Sequence, residues 1–259
     1  MTSKTKNTWQ RDELIAAFNL YCKIPFTKIH YTRPQIIELA RIINRTPSSV
    51  ALKLVNFARH DPKLQARNVA GMSHGSKGEK EIWNEFYGNW EELAFQSEQA
   101  LARFKGLTIE ESAGIEENEL PQEGKMREQL IKVRVNQNFF RAAVLASYNK
   151  CCCITGIQIP ELLIAGHIIP WSKDEKNRMN PANGLCLNLL HDKAFDRGLI
   201  TITPDFKVRI SRAFQKHKKN PAIQSFFLPC EGQPIRLPNR FLPDIAFLEY
   251  HNNEIFEKF

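Results

Sequence analysis

The sequence predicts an α+β protein made of a helical N-terminal domain and a C-terminal domain of short strands and helices. Apolar residues recur at helical spacing through roughly the first hundred positions, and from Met126 the pattern changes to a helix, short strands and another helix. A glutamate-rich segment without periodicity separates the two patterns. We therefore predict domains over 1–105 and 126–259, joined by an acidic linker over 106–125.

Length and composition are those of a soluble globular protein. Of the 259 residues, 42% are hydrophobic and 25% are charged. The apolar runs fall far short of the roughly 18 residues that suggest a membrane span, and the first residues lack the apolar stretch of a secretory signal. We expect a cytoplasmic protein that has no membrane partner.

The positive charge is concentrated outside the predicted linker. Lysine and arginine exceed aspartate and glutamate by eight, although residues 106–124 hold six glutamates and no lysine or arginine. The other 240 residues therefore carry a net charge of +14. This balance favours a polyanionic partner without identifying one.

Six cysteines in a chain without an export signal predict reduced and mostly buried thiols. A zinc site made of Cys151 or Cys153 together with Cys186 and His191 is conceivable. These residues lack the two paired-ligand spacings of a structural zinc site. We therefore expect no structural zinc.

Capping signals and apolar spacing predict three helices at the start of the chain. The first begins after Thr8, the second opens over 32–35 with a capping-box spacing and a proline in its first turn, and the third begins after Thr46. Their predicted inner faces are Leu14, Ala17, Phe18 and Tyr21, then Ile36, Leu39, Ala40 and Ile43, then Val50, Leu54, Phe57 and Ala58.

The second and third helices, joined by a short turn, resemble a helix-turn-helix, in which the second helix of the pair enters the DNA major groove. Ser49, Lys53, Asn56 and His60 share one face of the third helix and would contact bases and phosphates. The alternative is an ordinary three-helix packing unit with this face in solvent. A glycine-containing loop over 62–80 would offer further contacts to the DNA backbone.

Three residues of the C-terminal domain, His167, Asn183 and His191, indicate phosphodiester hydrolysis. His167 precedes a short apolar run predicted as a strand over 168–171, Asn183 lies in a predicted turn, and His191 begins a predicted helix. Hydrolysis needs a base for water, a cation that offsets charge at the phosphate, and a group that orients the base. An imidazole, a second imidazole that holds a metal, and an amide supply these roles.

These residues belong to a longer ordered set of motifs that resembles the HNH endonuclease family, and most closely a bacterial branch of restriction-type nucleases. The set covers about residues 134–255. In chain order it comprises Arg134, Gln137, Phe140, Arg141, Tyr148, Cys153 to Gly156, Ala165 to Trp171, Asn183 to Leu185, His191, Phe195 to Gly198, Leu237, Pro243, Leu248 and His251. The resemblance implies a ββα-metal fold for this domain, which follows the helix-turn-helix-like domain in the chain.

The resemblance also implies the roles of the site residues. His167 would be the general base, Asn183 would steady the loop or the imidazole, and His191 would bind the divalent metal. Contacts to DNA phosphates would come from arginines, for which Arg134, Arg141 and Arg197 are the candidates.

The expected metal shell departs from the family at one position. Gly166 stands where many HNH enzymes carry an aspartate or histidine before the base. Either Asp192 or Asp196 replaces that ligand, or water and phosphate oxygens do. We assign His191 and Asp196 to the metal, and expect Mg²⁺, with Mn²⁺ and Ni²⁺ as alternatives.

Taken together, the motifs imply a metal-dependent endonuclease that acts on double-stranded DNA as part of a restriction system. Recognition of modified DNA is one option for such an enzyme. One alternative is a DNA-binding protein whose nuclease site has degenerated, which Gly166 and the missing zinc ligands would allow. Another is a homing-type nuclease of a mobile element. Cutting both strands with one metal site per chain would call for a homodimer.

Overall fold

A computed structural model describes residues 8–66 and 77–258 of the chain, which divides into two compact units, residues 1–139 and 140–259. Helices and two small antiparallel sheets make up the secondary structure, so the predicted α+β class is confirmed. Within the described ranges, none of the helices combines the length and the apolar character needed to cross a membrane.

The first unit is helical in its described residues. Residues 67–76, the middle of the loop predicted over 62–80, lie outside the described residues, and helices occupy both ends of that predicted loop. The helices are α1 Arg11–Lys23, α2 Pro34–Ile42, α3 Pro47–Ala58, α4 Pro62–Ala66, α5 Lys77–Phe86, α6 Trp90–Lys105, α7 Ile109–Ala113 and α8 Lys125–Ser147, which continues into the second unit.

The three helices predicted at the start of the chain are α1, α2 and α3, and all twelve of their predicted inner residues are buried. Thr46 caps α3 as predicted, because its side chain accepts a hydrogen bond from the backbone nitrogen of Ser49 at 3.2 Å. Aromatic rings meet at the centre of this core, where Phe18 lies 4.9 Å from Phe57 and 5.2 Å from Trp83 between ring centroids.

The predicted caps of α1 and α2 were wrong, whereas the proline expected in the first turn of α2 is present. Helix α1 begins after Gln10, whose backbone nitrogen donates to Oε2 of Glu13 at 2.7 Å, so that a capping box forms two residues beyond Thr8. Helix α2 begins at Pro34 without a side-chain cap. The hydroxyl of Thr32 instead lies 2.8 Å from Nδ1 of His30, within the preceding turn.

Part of the face of α3 that was predicted to read DNA lies inside the unit. Lys53 and Asn56 are 8% and 7% exposed, and both bind the fully buried carboxylate of Glu79 on α5. Lys53 forms an ion pair with it, and Nδ2 of Asn56 donates to Oε1 at 3.1 Å. This corrects the prediction for Lys53 and Asn56, because a buried group bonded to a carboxylate cannot reach a base or phosphate. Ser49 remains half-exposed at the start of the helix.

The ion pair predicts that Lys53→Ala will destabilise the first unit. Removing one partner leaves the carboxylate of Glu79 buried and uncompensated, which costs about 3 to 5 kcal/mol. Chemical denaturation measures the loss, and Lys80→Ala, at an exposed position of α5, should change the free energy of unfolding by no more than about 0.5 kcal/mol. Unchanged stability together with weakened DNA binding would restore the DNA-reading role.

The acidic segment predicted as a linker is locally folded. Thr108 and Glu111 form a capping box at the start of α7, and the sequence contains the spacing of this motif. Arg127 of α8 holds two carboxylates of the segment, at 2.7 Å from Glu110 and 2.8 Å from Glu117. The expected lack of helix in this segment was therefore wrong, whereas the domain borders at 105 and 125 remain predictions.

The second unit contains two antiparallel strand pairs and several helices, together with the end of α8. In the first pair, His167 lies opposite Gly184. The strand before His167 is present, but residues 168–171 form no strand, contrary to prediction. The elements are β1 Leu163–His167, β2 Gly184–Asn188, α9 Leu189–Asp196, β3 Ile200–Ile202, β4 Val208–Ile210, α10 Arg212–Lys216, α11 Pro221–Phe226 and α12 Ile245–Glu254.

Candidate functional site

His167 is the last residue of β1, and aromatic rings hold its imidazole. The ring stacks on Phe140 of α8 with centroids 4.0 Å apart and planes 6° apart, and it meets the edge of Trp171 at 5.6 Å. These contacts restrict rotation about the side-chain bonds. The residue is nevertheless half-buried rather than fully buried.

The backbone determines which nitrogen of His167 carries the proton. Nε2 lies 2.9 Å from the carbonyl oxygen of Arg178, and a carbonyl can only accept, so Nε2 must donate. The neutral ring then has a bare Nδ1, for which no partner occurs among the described residues. Arg178 is itself fixed, because its Nε donates to the carbonyl oxygen of Trp171 at 2.8 Å and its guanidinium lies over the indole at 5.2 Å.

Burial lowers the pKa of His167 below its ordinary value, against the opposing effects of the Arg178 carbonyl and the charge of Asp196. A lowered pKa favours the neutral imidazole, in which Nδ1 is the nitrogen without a proton.

Asn183 ends a short 3-10 turn before β2 and is fully buried. Its Oδ1 accepts from the backbone nitrogen of Ile169 at 2.8 Å, and its Nδ2 donates to the carbonyl oxygens of Ile169 at 3.2 Å and Asn177 at 3.3 Å. These bonds hold the loop that follows His167. Of the two roles expected for Asn183, the geometry matches the support of the loop.

Asp192 occupies the space left by Gly166. A Cβ atom added at position 166 would overlap Oδ1 of Asp192, so the carboxylate would have to shift from this position if residue 166 carried a side chain. Oδ1 is buried and has no hydrogen-bond partner in the described part of the chain. Burial, and to a lesser degree the nearby charge of Asp196, raises the pKa of Asp192 to about 6.

Asp196 lies one turn further along the same face of α9 and is exposed. Although the residue as a whole is exposed, partial burial of its carboxylate raises its pKa, and the charges of Lys193, His167 and Arg197 act in the opposite direction. The carboxylate is thus close enough to influence both His167 and Asp192. Two carboxylates and the imidazole of His167 therefore lie near one another where β1 meets α9.

His191, by contrast, is not part of this group. It is 1% exposed, its Nε2 donates to the carbonyl oxygen of Phe226 at 2.9 Å, and its Nδ1 lies 3.1 Å from Oδ1 of Asn188. No hydrogen bond, ion pair or ring contact links it to His167 within the described residues. This position does not favour His191 as a metal ligand, because the ring is buried and its Nε2 donates to a backbone carbonyl, and its assignment to the metal stays a prediction.

Asn188 explains the position of His191 and was not singled out from the sequence. Its Oδ1 caps α9 by accepting from the backbone nitrogens of Leu190 and His191 at 3.1 and 3.0 Å. Its Nδ2 donates to Oγ1 of Thr155 at 3.1 Å and contacts Sγ of Cys152 at 3.6 Å. The signal was present in the spacing, because an asparagine directly before an apolar helix is a strong N-cap.

The three arginines expected to bind phosphates lie in different places. Arg134 of α8 belongs to the first unit, where its Nη1 donates to Oε1 of Gln137 at 3.4 Å. Arg141 and Arg197 belong to the second unit and are exposed. Of the three, Arg197 is the one whose charge acts on Asp196.

All six cysteines are free thiols, with Cys151 and Cys230 partly exposed and the others buried. Over residues 8–66 and 77–258, no group of three or more histidine, cysteine, aspartate or glutamate side chains could hold a metal by itself. A hard ion such as Mg²⁺ needs fewer protein ligands, since it binds through one or two carboxylates and keeps several waters. The unpartnered buried oxygen of Asp192, next to Asp196, fits such an ion.

Comparison with known families gives one match, which is the model of HNH endonucleases over residues 152–203. No curated protein matches the chain. The matched residues run from the turn before β1 to the end of β3, so they contain His167, Asn183 and both aspartates of α9. The second unit therefore carries an HNH endonuclease domain.

Proposed function

We propose that the second unit hydrolyses phosphodiester bonds of double-stranded DNA, with Nδ1 of His167 as the general base. The observation that carries this proposal is the bond from Nε2 of His167 to the carbonyl of Arg178. It leaves Nδ1 bare, on a neutral ring held between Phe140 and Trp171. A half-buried base of fixed tautomer with an unpartnered nitrogen, within a segment that matches HNH endonucleases, is what activation of water requires.

In this mechanism His167 takes a proton from a water molecule as the water oxygen attacks the phosphorus. The bond from phosphorus to the 3′ oxygen breaks as the new bond forms, and the proton stays on Nδ1 until solvent removes it. The bond to the Arg178 carbonyl persists throughout, and it stabilises the imidazolium because Nε2 donates in both protonation states.

We propose Asp192 and Asp196 as the protein ligands of a divalent ion, with Mg²⁺ first and Mn²⁺ or Ni²⁺ as alternatives. A bound ion would offset the charge that develops on the phosphate and the departing oxygen. Two nearby carboxylates with raised pKa values favour a cation, because it relieves both their burial and their mutual repulsion. Asn183 would act as a positioning residue that holds the loop beside the base.

The wider role we propose is restriction, with the helical first unit as the recognition domain and Arg141 and Arg197 as exposed phosphate contacts of the nuclease unit. The restriction-type motifs around the HNH segment support this role. Cutting both strands with one site per chain would require two copies of the protein. Cleavage of modified and unmodified phage DNA distinguishes restriction from a homing-type nuclease, which would cut a long unmodified site.

A plasmid assay tests the activity itself. Supercoiled DNA should be nicked or linearised with Mg²⁺, Mn²⁺ or Ni²⁺ and left intact in EDTA. The protein should be prepared beside His167→Ala, so that activity from a contaminant is recognised as cleavage common to both samples. Persistent DNA binding without cleavage by any of these ions would support the degenerate nuclease instead.

A further inference from the structure

Residues 207–219 of the second unit form a strongly cationic surface, which we call the basic segment. It includes β4 and α10, and no aspartate or glutamate occurs between positions 206 and 230. The segment also contains His217. The cations of the basic segment are all exposed, and they are Lys207, Arg209, Arg212, Lys216, Lys218 and Lys219.

Most of these cations form no ion pair within the described residues. Lys207 pairs with Asp205 at 2.7 Å, and the guanidinium of Arg209 lies 5.2 Å from the ring of Phe256. The side chains of Arg212, Lys216, Lys218 and Lys219 make no hydrogen bond or ion pair among the residues that the structure describes.

Two carboxylates contact the backbone of the basic segment without forming an ion pair with its cations. Oε1 of Glu257 accepts from the backbone nitrogen of Arg212 at 2.6 Å, and Oε2 of Glu231 accepts from that of Ile210 at 2.7 Å. In the first unit, by contrast, several cations form ion pairs with carboxylates. Its pairs include Arg11 with Glu85, Arg103 with Asp12, Arg127 with Glu110 and Lys132 with Glu92.

Packing attaches the basic segment to the helix that carries the two carboxylates. The ring of Phe214 on α10 stacks on Phe227 at 4.2 Å, and Phe227 lies 5.1 Å from the ring of His191. His191 also donates to the carbonyl of Phe226, and it directly precedes Asp192 in α9. His191 therefore connects α9 to the basic segment.

We infer that the basic segment binds the phosphate backbone of the DNA that the nuclease unit cuts. This inference rests on the proposed function and extends it, since it assigns a DNA-binding surface outside the matched residues 152–203. Unpaired exposed cations suit a polyanion, which gains affinity by releasing its condensed counterions. A membrane surface fits less well, because α10 and α11 span only five and six residues and form no amphipathic helix of useful length.

The test is the salt dependence of DNA binding by the full chain, measured by fluorescence anisotropy with a short duplex in EDTA. The variant is Lys216→Gln/Lys218→Gln/Lys219→Gln. Each lost phosphate contact lowers the slope of log K against log salt by about 0.9, so the slope should fall by about 2 to 3. At a fixed salt concentration near 0.1 M, affinity should fall about tenfold or more, equally for duplexes of different sequence.

The control variant, Lys28→Gln/Lys125→Gln/Lys258→Gln, removes the same charge from exposed lysines spread over the chain. An unchanged slope in the first variant, or an equal fall in both, overturns the inference. So does binding to vesicles of phosphatidylcholine and phosphatidylserine that is lost in the variant while the DNA slope is kept. Because no metal is present, a fall in the slope supports the inference whether or not the protein proves to cut DNA.

Discussion

Replacing His167 with alanine should lower the rate of DNA cleavage by about 10²- to 10⁴-fold, the range that a positioned general base contributes. The variant loses Nδ1, the ring nitrogen without a hydrogen bond among the described residues, which is proposed to accept the proton. It also loses the bond to the Arg178 carbonyl and the stacking on Phe140, so the melting temperature must be measured beside the rate. Single-turnover cleavage with saturating Mg²⁺ isolates the chemical step.

Two further measurements separate loss of the base from loss of structure. Added imidazole should restore part of the cleavage by His167→Ala, because a small base can enter the space that the side chain leaves. His30→Ala is the matched control, since it removes an exposed imidazole from the first unit, and it should cleave at the wild-type rate. Cleavage by His167→Ala within a factor of two of wild type would remove the base from the mechanism.

Replacing both Asp192 and Asp196 with asparagine should lower metal-dependent cleavage by at least about a hundredfold. A metal ion contributes several kcal/mol to phosphodiester hydrolysis, and about 1.4 kcal/mol corresponds to a factor of ten. The fold should survive, because the change removes an unpaired buried charge at Asp192 rather than a stabilising bond. Calorimetric titration with Mg²⁺ or Mn²⁺ should show weakened binding, and the melting temperature should stay equal or rise.

His191→Ala provides the contrast that distinguishes this arrangement from the one expected from the sequence. If His191 connects α9 to residues 226 and 227, its loss should reduce the free energy of unfolding by about 1 to 3 kcal/mol, as expected when a buried group loses its bonds. Metal affinity should be kept. The opposite pattern, with stability intact and metal binding lost, would return His191 to the metal and leave the two aspartates without a role.

Much of the candidate site was predictable from residue order. The helix that ends before Gly198 follows from local signals, since caps, turns and apolar runs act over a few residues. The role of Asn183 came from the resemblance, and the strand expected after His167 lies before it. Asp192 could have been chosen over His191, because Asp192 and Asp196 are four residues apart on one helix face. The absence of a side chain at Gly166 also left room for a carboxylate.

For Lys53 and His191, the sequence alone could not predict whether the side chain is buried or which group it binds. Both lie at helical positions whose burial cannot be read from the apolar spacing. A polar side chain at such a position can either face solvent or form a hydrogen bond in the protein interior. Which of the two occurs depends on a partner distant in the chain. For Lys53 that partner is Glu79, and for His191 it is the carbonyl of Phe226.

Local patterns thus specified the class of the protein, the motif order of its nuclease segment and the helices at its start, because propensity and apolar spacing are properties of neighbouring residues. Only the tertiary structure determined which charged groups are buried, which nitrogen of His167 has no hydrogen-bond partner and which carboxylates lie near it. These properties depend on contacts between residues distant in the chain and on the desolvation of each group. Neither can be predicted from neighbouring residues alone.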